Sequence, residues 1–376
     1  VRIRNRIVVA PMLTYSAKNG YTQDLHTLHY GKLAYGGAGL ILVESTKADP
    51  RGASTPTDLG IWKDEFIPGL AKIASTIKSY GATAGIQLGH SGRKARRSVP
   101  WEGRAPLASH PGLDHGEEWE LVAPSEIAHS NEFAAPRALS IADIEDLIEG
   151  YGAAVERVKK AGFDVLEIHA AHGYLIHQFL SPASNQRTDK YGGSLENRIR
   201  FSIEVLEEIR RQVGDDYIVG IRMMFDEALD GGLQFDEGLR IGELLADTGM
   251  IDFFNINRGH CSTSVGLAAL IPNMGTPQAP HLQFAAEVKR HFDLPVMHAA
   301  RINDVATARY AIKEGLLDLV SMTRAHIADP HIVAKIMRGE EDQIRPCVGM
   351  GYCIDRIYGE GEALCAHNPA TGREGT

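Results

Sequence analysis

The chain has 376 residues, of which 44% are hydrophobic and 23% are charged, so it can bury a large core in one large domain or two ordinary ones. Its formal charge of −9, spread without a block of like charges, argues against nucleic-acid binding and favours a small-molecule partner. The sequence has no apolar run near the roughly 18 residues of a membrane-spanning helix and no secretion signal, which favours a cytoplasmic protein without a membrane partner.

Short runs rich in β-branched and aliphatic residues recur along the chain and predict strands. In chain order they occupy residues 7–11, 39–44, 83–88, 163–169, 217–222, 252–256, 294–298 and 317–322. Segments with a helical spacing of apolar residues lie between or after them. These segments are residues 65–80, 141–161, 195–213, 235–248, 284–292 and 304–314. The alternation of eight strands with helices predicts an α/β fold of the (β/α)8, or TIM-barrel, type.

A longer excursion, residues 96–137, separates the third and fourth predicted strands and is rich in Pro, His and Gly. We expect this insertion to cap the mouth of the barrel, and a disordered surface insertion is the alternative. We expect the barrel to span residues 1–340 and residues 341–376 to form a cysteine-containing tail. The chain begins without Met, and we expect it to be a trimmed piece of a longer protein.

Three groups that can exchange protons follow the fourth predicted strand, namely His169, His172 and Tyr174. The C-terminal ends of barrel strands are where this fold places active-site residues. Imidazoles there can donate hydrogen bonds to an anionic or carbonyl oxygen, and a phenol can give a proton to a developing carbanion. Two core histidines are the plainer alternative, and a metal site lacks a carboxylate at a suitable spacing.

The block from Glu167 to Phe201, EIHAAHGYLIHQFLSPASNQRTDKYGGSLENRIRF, resembles the old yellow enzyme family of flavin oxidoreductases. Further matches cover nearly the whole chain in the family's order. They are VVAPM on the first strand, LVEST on the second, GIQLGHSGRKA on the third, GIRM on the fifth and SMTRAHIADP on the eighth. The resemblance implies a TIM barrel with FMN across its C-terminal mouth, NAD(P)H as a possible electron donor, and a homo-oligomer.

The family's flavin contacts carry over, by this resemblance, to matching positions of the chain. They are Ala10, Pro11 and Met12 along the isoalloxazine ring, Ser45, Gln87 and His169 at its pyrimidine edge, Arg222 near its N1–C2 end, and backbone amides around Ala300, Arg301, Thr323 and Arg324 at the phosphate. Surface ion pairing is the alternative for Arg222 and Arg324. The residue after Met12, often a polar or thiol group in the family, is Leu13 here.

Three cysteines in the tail, Cys347, Cys353 and Cys365, are spaced C-x5-C-x11-C. The tail resembles the C-x2-C-x2-C-x11/12-C loop of larger family members such as trimethylamine dehydrogenase, which implies an iron–sulfur cluster. Met350 occupies the position of their second cysteine, and a thioether is a poor ligand for such iron. The resemblance therefore implies a [4Fe–4S] cluster with one iron ligated otherwise, or a [3Fe–4S] cluster. A zinc site and three unligated cysteines are the alternatives.

The tail is most similar to that of oxidative demethylases acting on dimethylglycine and N-methylproline-type compounds. This similarity implies FMN-dependent N-demethylation of a small amine or amino acid, with the electrons passing to an acceptor protein or to a second nucleotide-binding domain beyond residue 376. We expect His169, His172 and Tyr174 to act on the substrate. Tyr15, which matches a substrate-facing tyrosine of one family branch, and Arg258 or His260 are further candidates for substrate contacts.

Two other functions are open at this point. The same two histidines and Tyr174 suit an ene-reductase, in which His169 and His172 polarise an α,β-unsaturated carbonyl and Tyr174 protonates the α-carbon. A non-catalytic barrel that only binds flavin or another protein is the third possibility. The polar residues at the predicted strand ends argue against it.

Overall fold

The computed structural model describes residues 1–107, 119–359 and 361–374. Parallel strands close into a barrel in the order β1-β10-β9-β8-β7-β6-β3-β2. These strands are β1 (Ile7–Val9), β2 (Leu40–Lys47), β3 (Thr83–Gly89), β6 (Val165–Ala170), β7 (Ile218–Asp226), β8 (Phe253–Arg258), β9 (Val296–His298) and β10 (Leu319–Met322). The predicted TIM barrel is confirmed, and each of its strands overlaps a predicted one.

Helices follow the strands and pack around the barrel. They are α1 (Asp24–Tyr35), α2 (Ile67–Ser79), α3 (Ile141–Lys160), α4 (Leu175–Leu180), α5 (Leu195–Val213), α6 (Phe235–Asp247), α7 (Ser264–Leu270), α8 (Leu282–Lys289), α9 (Val305–Lys313), α10 (Arg324–Ala328), α11 (Ile332–Arg338) and α12 (Tyr352–Tyr358). Short 3-10 turns occupy Pro50–Gly52, Asp64–Phe66, Gly92–Lys94, Pro100–Glu102 and Glu341–Gln343. No described helix is both long and apolar enough to cross a membrane.

Two apolar layers stabilise the barrel. A large layer lies between strands and helices, and a smaller one fills the barrel interior. The interior layer consists of Val8, Leu40, Leu42, Val165, Phe253 and Met297. Because both faces of a parallel barrel strand are buried, the strands read as nearly continuous apolar runs. Polar residues appear where the strands end, and this places them at the mouth.

A bulge near the end of β2 reverses which side chains face the barrel interior. Leu40 and Leu42 belong to the interior layer, but the pairing of β2 with β3 shifts register between Val43 and Thr46. Beyond the shift Ser45 lines a cavity at the mouth. Lys47, two residues further on, lies on the same side of the strand, with its Nζ 3.0 Å from Ser45 Oγ. Bulges are common beside active sites because they redirect side chains in this manner.

The insertion and the tail both reach the mouth of the barrel. Arg97, Arg104 and His129 of the insertion line the same cavity as Ile354 and Tyr358 of the tail. The insertion also contains a two-stranded parallel ladder, in which β4 (Val122–Ala123) pairs with β5 (Arg137–Ala138). Residues 108–118 of the predicted cap lie outside the described residues.

Candidate active site

Two adjacent cavities open at the C-terminal ends of the strands. One has a volume of about 330 Å³ and the other about 270 Å³. Both are lined by Pro11, His172, Tyr174 and Arg222, so they share a wall at the barrel mouth. The predicted catalytic residues thus border the space where a cofactor and a substrate could meet.

The two histidines after β6 form a hydrogen-bonded chain. His172 Nδ1 lies 3.3 Å from His169 Nε2, and His172 Nε2 lies 3.2 Å from Asn257 Oδ1. The backbone N–H of Ala171 donates to His169 Nδ1 at 3.3 Å. Because His169 Nδ1 accepts from Ala171, the His169 ring carries its proton on Nε2 and donates it to His172 Nδ1. His172 then carries its own proton on Nε2 and donates it to Asn257 Oδ1, which can only accept. Both rings are therefore neutral. Burial lowers the pKa of both histidines well below 6.5, which agrees with neutral rings.

Tyr174 stands beside these histidines in a cationic setting. Its ring centre lies 4.7 Å from that of His169, with the two planes at 83°. The ammonium groups of Lys94 and Lys47 lie 4.9 and 5.8 Å from the Tyr174 ring centre. Burial nevertheless raises the pKa of Tyr174 to about 12, so the phenol keeps its proton near neutral pH and can act as a donor.

The smaller cavity offers hydrogen-bonding groups that fit the pyrimidine edge of FMN. The Gln87 side-chain N–H donates to Glu167 at 2.7 Å, which leaves the Gln87 carbonyl oxygen as an acceptor. Arg222 Nε is buried without a hydrogen-bond partner, and the Ser45 hydroxyl lines the same cavity. Two donors and one acceptor complement an imide edge, which presents two carbonyls and one N–H.

The far end of the larger cavity fits a phosphate. Ala300 and Arg301 have φ values of +79° and +60°, a conformation in which successive backbone N–H groups can form an anion-binding concavity. Arg301 Nε and Nη1 and Ser321 Oγ are buried without partners, and Thr323 and Arg324 line the same wall. These unused donors would be satisfied by an anionic group.

The remaining predicted flavin contacts lie close by. Pro11 and Met12 line the smaller cavity, whereas Ala10 is buried at the end of β1 and lines neither cavity. Leu13 follows on the same wall. An apolar side chain therefore lies on the cavity wall at the position where the resemblance predicts a polar or thiol group.

The predicted substrate contacts are distributed differently from our expectation. Tyr15 lines the smaller cavity. Arg258, however, donates from Nε to Asp226 at 3.0 Å and covers Phe284, and it borders neither main cavity. His260 borders a separate space of about 30 Å³ behind His172. Arg258 is thus paired with Asp226 beside the site, and its contact with substrate stays a prediction.

Instead, the basic residues that face His172 and Tyr174 come from the segment after β3. Lys94, Arg97 and Arg104 line the larger cavity. Arg97 is buried and its Nε lacks a hydrogen-bond partner. The lining described for this cavity includes six basic side chains, Lys94, Arg97, Arg104, Arg222, Arg301 and Arg324, and no Asp or Glu. The first three residues were not predicted from the sequence, because the segment after β3 has no periodicity that would orient its side chains.

The three cysteines of the tail lie together. Cys347, Cys353 and Cys365 line one small cavity of about 30 Å³, with Met350 on the same wall. Burial raises the pKa of the Cys347 and Cys353 thiols. Within the described ranges, no three metal-binding side chains are placed so that they could hold an ion together. The thiols are gathered around one space, but they do not form a closed metal site.

Comparison with known proteins gives close relatives. The chain is 41% identical over 374 residues to a probable N-methylproline demethylase of Rhizobium meliloti (strain 1021), and the match covers 99% of this chain and 52% of that protein. It is 41% identical over 375 residues to a multifunctional alkene reductase/demethylase of Caballeronia cordobensis, with the same coverage of 99% and 52%. The chain thus spans about half the length of these curated relatives.

A solved structure is also similar to the chain. The 2-naphthoyl-CoA reductase structure matches with a TM-score of 0.88 and 27% identity, over 99% of this chain and 56% of the other. The family model described as NADH:flavin oxidoreductase / NADH oxidase matches residues 1–343. With the barrel and the polar mouth described above, these matches establish that the chain belongs to the NADH:flavin oxidoreductase / NADH oxidase family.

Proposed function

We propose that the protein carries out FMN-dependent oxidative N-demethylation of a small N-methylated amino acid. The observation that carries this proposal is the cavity above His172 and Tyr174, whose described lining is basic without a single carboxylate. The whole chain has a charge of −9, so this concentration of positive charge is local. A site of this kind favours an anionic ligand.

Bound FMN would contact only some of the six basic side chains of this cavity. Arg301 and Arg324 would hold the phosphate, and Arg222 would lie near the pyrimidine ring. Lys94, Arg97 and Arg104 then remain for the substrate. Lys94 is fixed by the His172 carbonyl at 2.8 Å and by Cys261 Sγ at 2.7 Å, so the two arginines are the best carboxylate partners, because guanidinium groups bind carboxylates in a bidentate manner.

Bound FMN supplies a two-electron acceptor for the hydride that leaves the N-methyl carbon. Water then adds to the resulting C=N carbon, and the adduct breaks down to formaldehyde, the demethylated amine and one proton. The protein's own groups hold the substrate for this step. Arg97 and Arg104 orient the carboxylate, and neutral His169 and His172 avoid repelling the amine. Tyr174 positions the amine, whose lone pair stays free to form the C=N bond.

Ene-reduction is the second candidate, because the same geometry suits it. The oxygen of an α,β-unsaturated carbonyl would replace the present acceptors of the His169 and His172 N–H groups, and the Tyr174 phenol would protonate the α-carbon. NAD(P)H would supply the hydride in that case. The relative named as an alkene reductase/demethylase combines both activities in its name.

The sequence predictions on the cluster, the domains and the assembly are part of the proposal. Three thiols around one cavity support an iron–sulfur site in the tail, residues 341–376, beside the barrel of residues 1–340. The half-length match to the relatives supports a further nucleotide-binding domain or an acceptor protein as the electron outlet, and we retain a homo-oligomer as an expectation.

The carboxylate requirement can be tested with two compounds that share a ring and a methyl group. Under anaerobic conditions, N-methylproline should reduce the flavin, whereas N-methylpyrrolidine, which lacks the carboxylate, should bind far more weakly. The Arg97→Met variant should lose roughly 10- to 100-fold in affinity for N-methylproline, the value of one charge-assisted hydrogen bond. Arg258→Met, whose side chain pairs with Asp226, is the control. Equal binding of both compounds would refute the proposed substrate class.

A further inference from the structure

Lys47 is a buried lysine that has no role in the reaction proposed above. It lies at the end of β2, just beyond the bulge, and only 1% of its surface is exposed. Lysine is almost never buried to this extent unless its charge is paired. The groups around its ammonium should therefore indicate its role.

The Lys47 ammonium lies close to two side-chain oxygen atoms. Nζ lies 3.0 Å from Ser45 Oγ and 3.5 Å from Asp58 Oδ2. Asp58 is held in turn by Ser54, whose backbone N–H and hydroxyl donate at 2.7 and 2.6 Å, and by the Thr55 hydroxyl at 2.7 Å. With Asp58 fixed on one side, the ammonium is fixed against Ser45 on the other.

The direction of the hydrogen bond to Ser45 follows from the chemistry of the donor. An ammonium group can only donate, so the Ser45 oxygen accepts and the hydroxyl proton must point elsewhere. Ser45 has no second hydrogen-bond partner among the residues that the structure describes, and it lines the cavity that fits the flavin ring. A β-carbon at Gly89 would lie 2.6 Å from Ser45 Oγ, so Gly89 provides room for the hydroxyl.

We propose that Lys47 is a positioning residue that polarises the Ser45 hydroxyl, which then donates to a carbonyl oxygen on the pyrimidine ring of FMN. This inference rests on the placement of FMN proposed above. Reduction adds negative charge to that ring, and a donor next to a cation stabilises the added charge more than a neutral donor would. Lys47 therefore raises the midpoint potential of the flavin.

The test is a set of midpoint potentials, measured against reference dyes on the FMN-loaded chain. Lys47→Met should lower the potential, while the dissociation constant of FMN, followed by fluorescence quenching, stays unchanged. Lys47→Arg should retain most of the wild-type potential because it preserves a cationic donor. Lys78→Met removes an exposed lysine that pairs with Asp164, and it should leave the potential unaltered.

The route through Ser45 is tested by a double-mutant cycle. In a Ser45→Ala background, Lys47→Met should cause little further shift. If Lys47→Met does not fold, Lys47→Met/Asp58→Asn removes both charges and carries the same comparison. An unchanged potential, or a shift that persists in full without the hydroxyl, would overturn the inference. Failure of the wild-type chain to bind FMN would instead overturn the proposed function on which the inference depends.

Discussion

At the residue scale, His172 and Arg222 share the cavity walls but offer different groups. His172 is satisfied by His169 and Asn257, whereas Arg222 Nε has no partner. We predict that His172→Ala weakens substrate binding with little loss of FMN, and that Arg222→Ala lowers FMN retention. The ratio of flavin to protein after gel filtration, with titration of a substrate analogue, measures both effects. Equal flavin loss in the two variants would contradict this assignment.

The Lys47–Asp58 pair also makes a prediction about stability. Both side chains are buried, and removing one partner leaves an uncompensated buried charge. Asp58→Asn should therefore cost about 3–5 kcal/mol in the free energy of unfolding, measured with urea. The exposed pair Lys78–Asp164 provides the control, since Lys78→Met should cost at most about 1 kcal/mol. Similar losses at the two sites would argue against a strongly buried pair.

Single residues were predictable from sequence where a strand end fixed their place. His169, His172 and Tyr174 follow an apolar strand, and parallel barrel strands end at one common edge. The position of Arg258 was equally readable, but its pairing with Asp226 depends on the neighbouring strand β7. Such a contact between distant residues leaves no local pattern in the sequence.

At the element scale, apolar composition located the strands well but not their local geometry. The bulge in β2 depends on pairing with β3, so the sequence did not indicate that Lys47 would lie beside Ser45 at the mouth. Helix α1 was not predicted. Its sequence, DLHTLHYGKLAY, mixes polar and apolar residues around the helix and lacks a clear apolar stripe.

The tail gives a prediction of its own. Met350 lies on the wall of the cavity that the three thiols share, at the position where the resemblance to an iron–sulfur loop predicts a second cysteine. Met350→Cys should supply the fourth thiolate and raise the iron and sulfide bound per flavin after anaerobic purification. Met337→Cys, which adds a thiol at an exposed position of α11, is the matched control. The absence of iron and sulfide from both variants would contradict a cluster at this cavity.

At the scale of the whole molecule, buried histidines predict loss of stability in acid. Burial lowers the pKa of His90, His298 and His326 to about 4, whereas an unfolded histidine has a pKa of about 6.5. The unfolded chain therefore binds more protons as the pH falls from 6.5 to 4, and the free energy of unfolding decreases over that range.

Two carboxyl groups oppose this trend, because burial raises the pKa of Glu167 as well as that of Glu44. Burial raises the pKa of Glu44 to about 7, so Glu44 by itself favours the folded state as the pH falls toward 4.5. The three histidines outnumber these two carboxyls, and urea unfolding at several pH values should show a net decrease of roughly 1 kcal/mol per pH unit below 6.5. A flat profile between pH 6.5 and 4.5 would show that these histidines titrate normally.

The molecule as a whole combines a net charge of −9 with a basic cavity at the mouth of the barrel. The most direct test of this account is a single turnover: the FMN-loaded chain is mixed with N-methylproline without oxygen, and oxidised-flavin absorbance and formaldehyde are measured together. The account predicts that the absorbance is lost and that one formaldehyde forms per flavin reduced. A flavin that stays oxidised with this substrate, yet is reduced by NADPH and reoxidised by an unsaturated ketone, would contradict it and favour the ene-reductase.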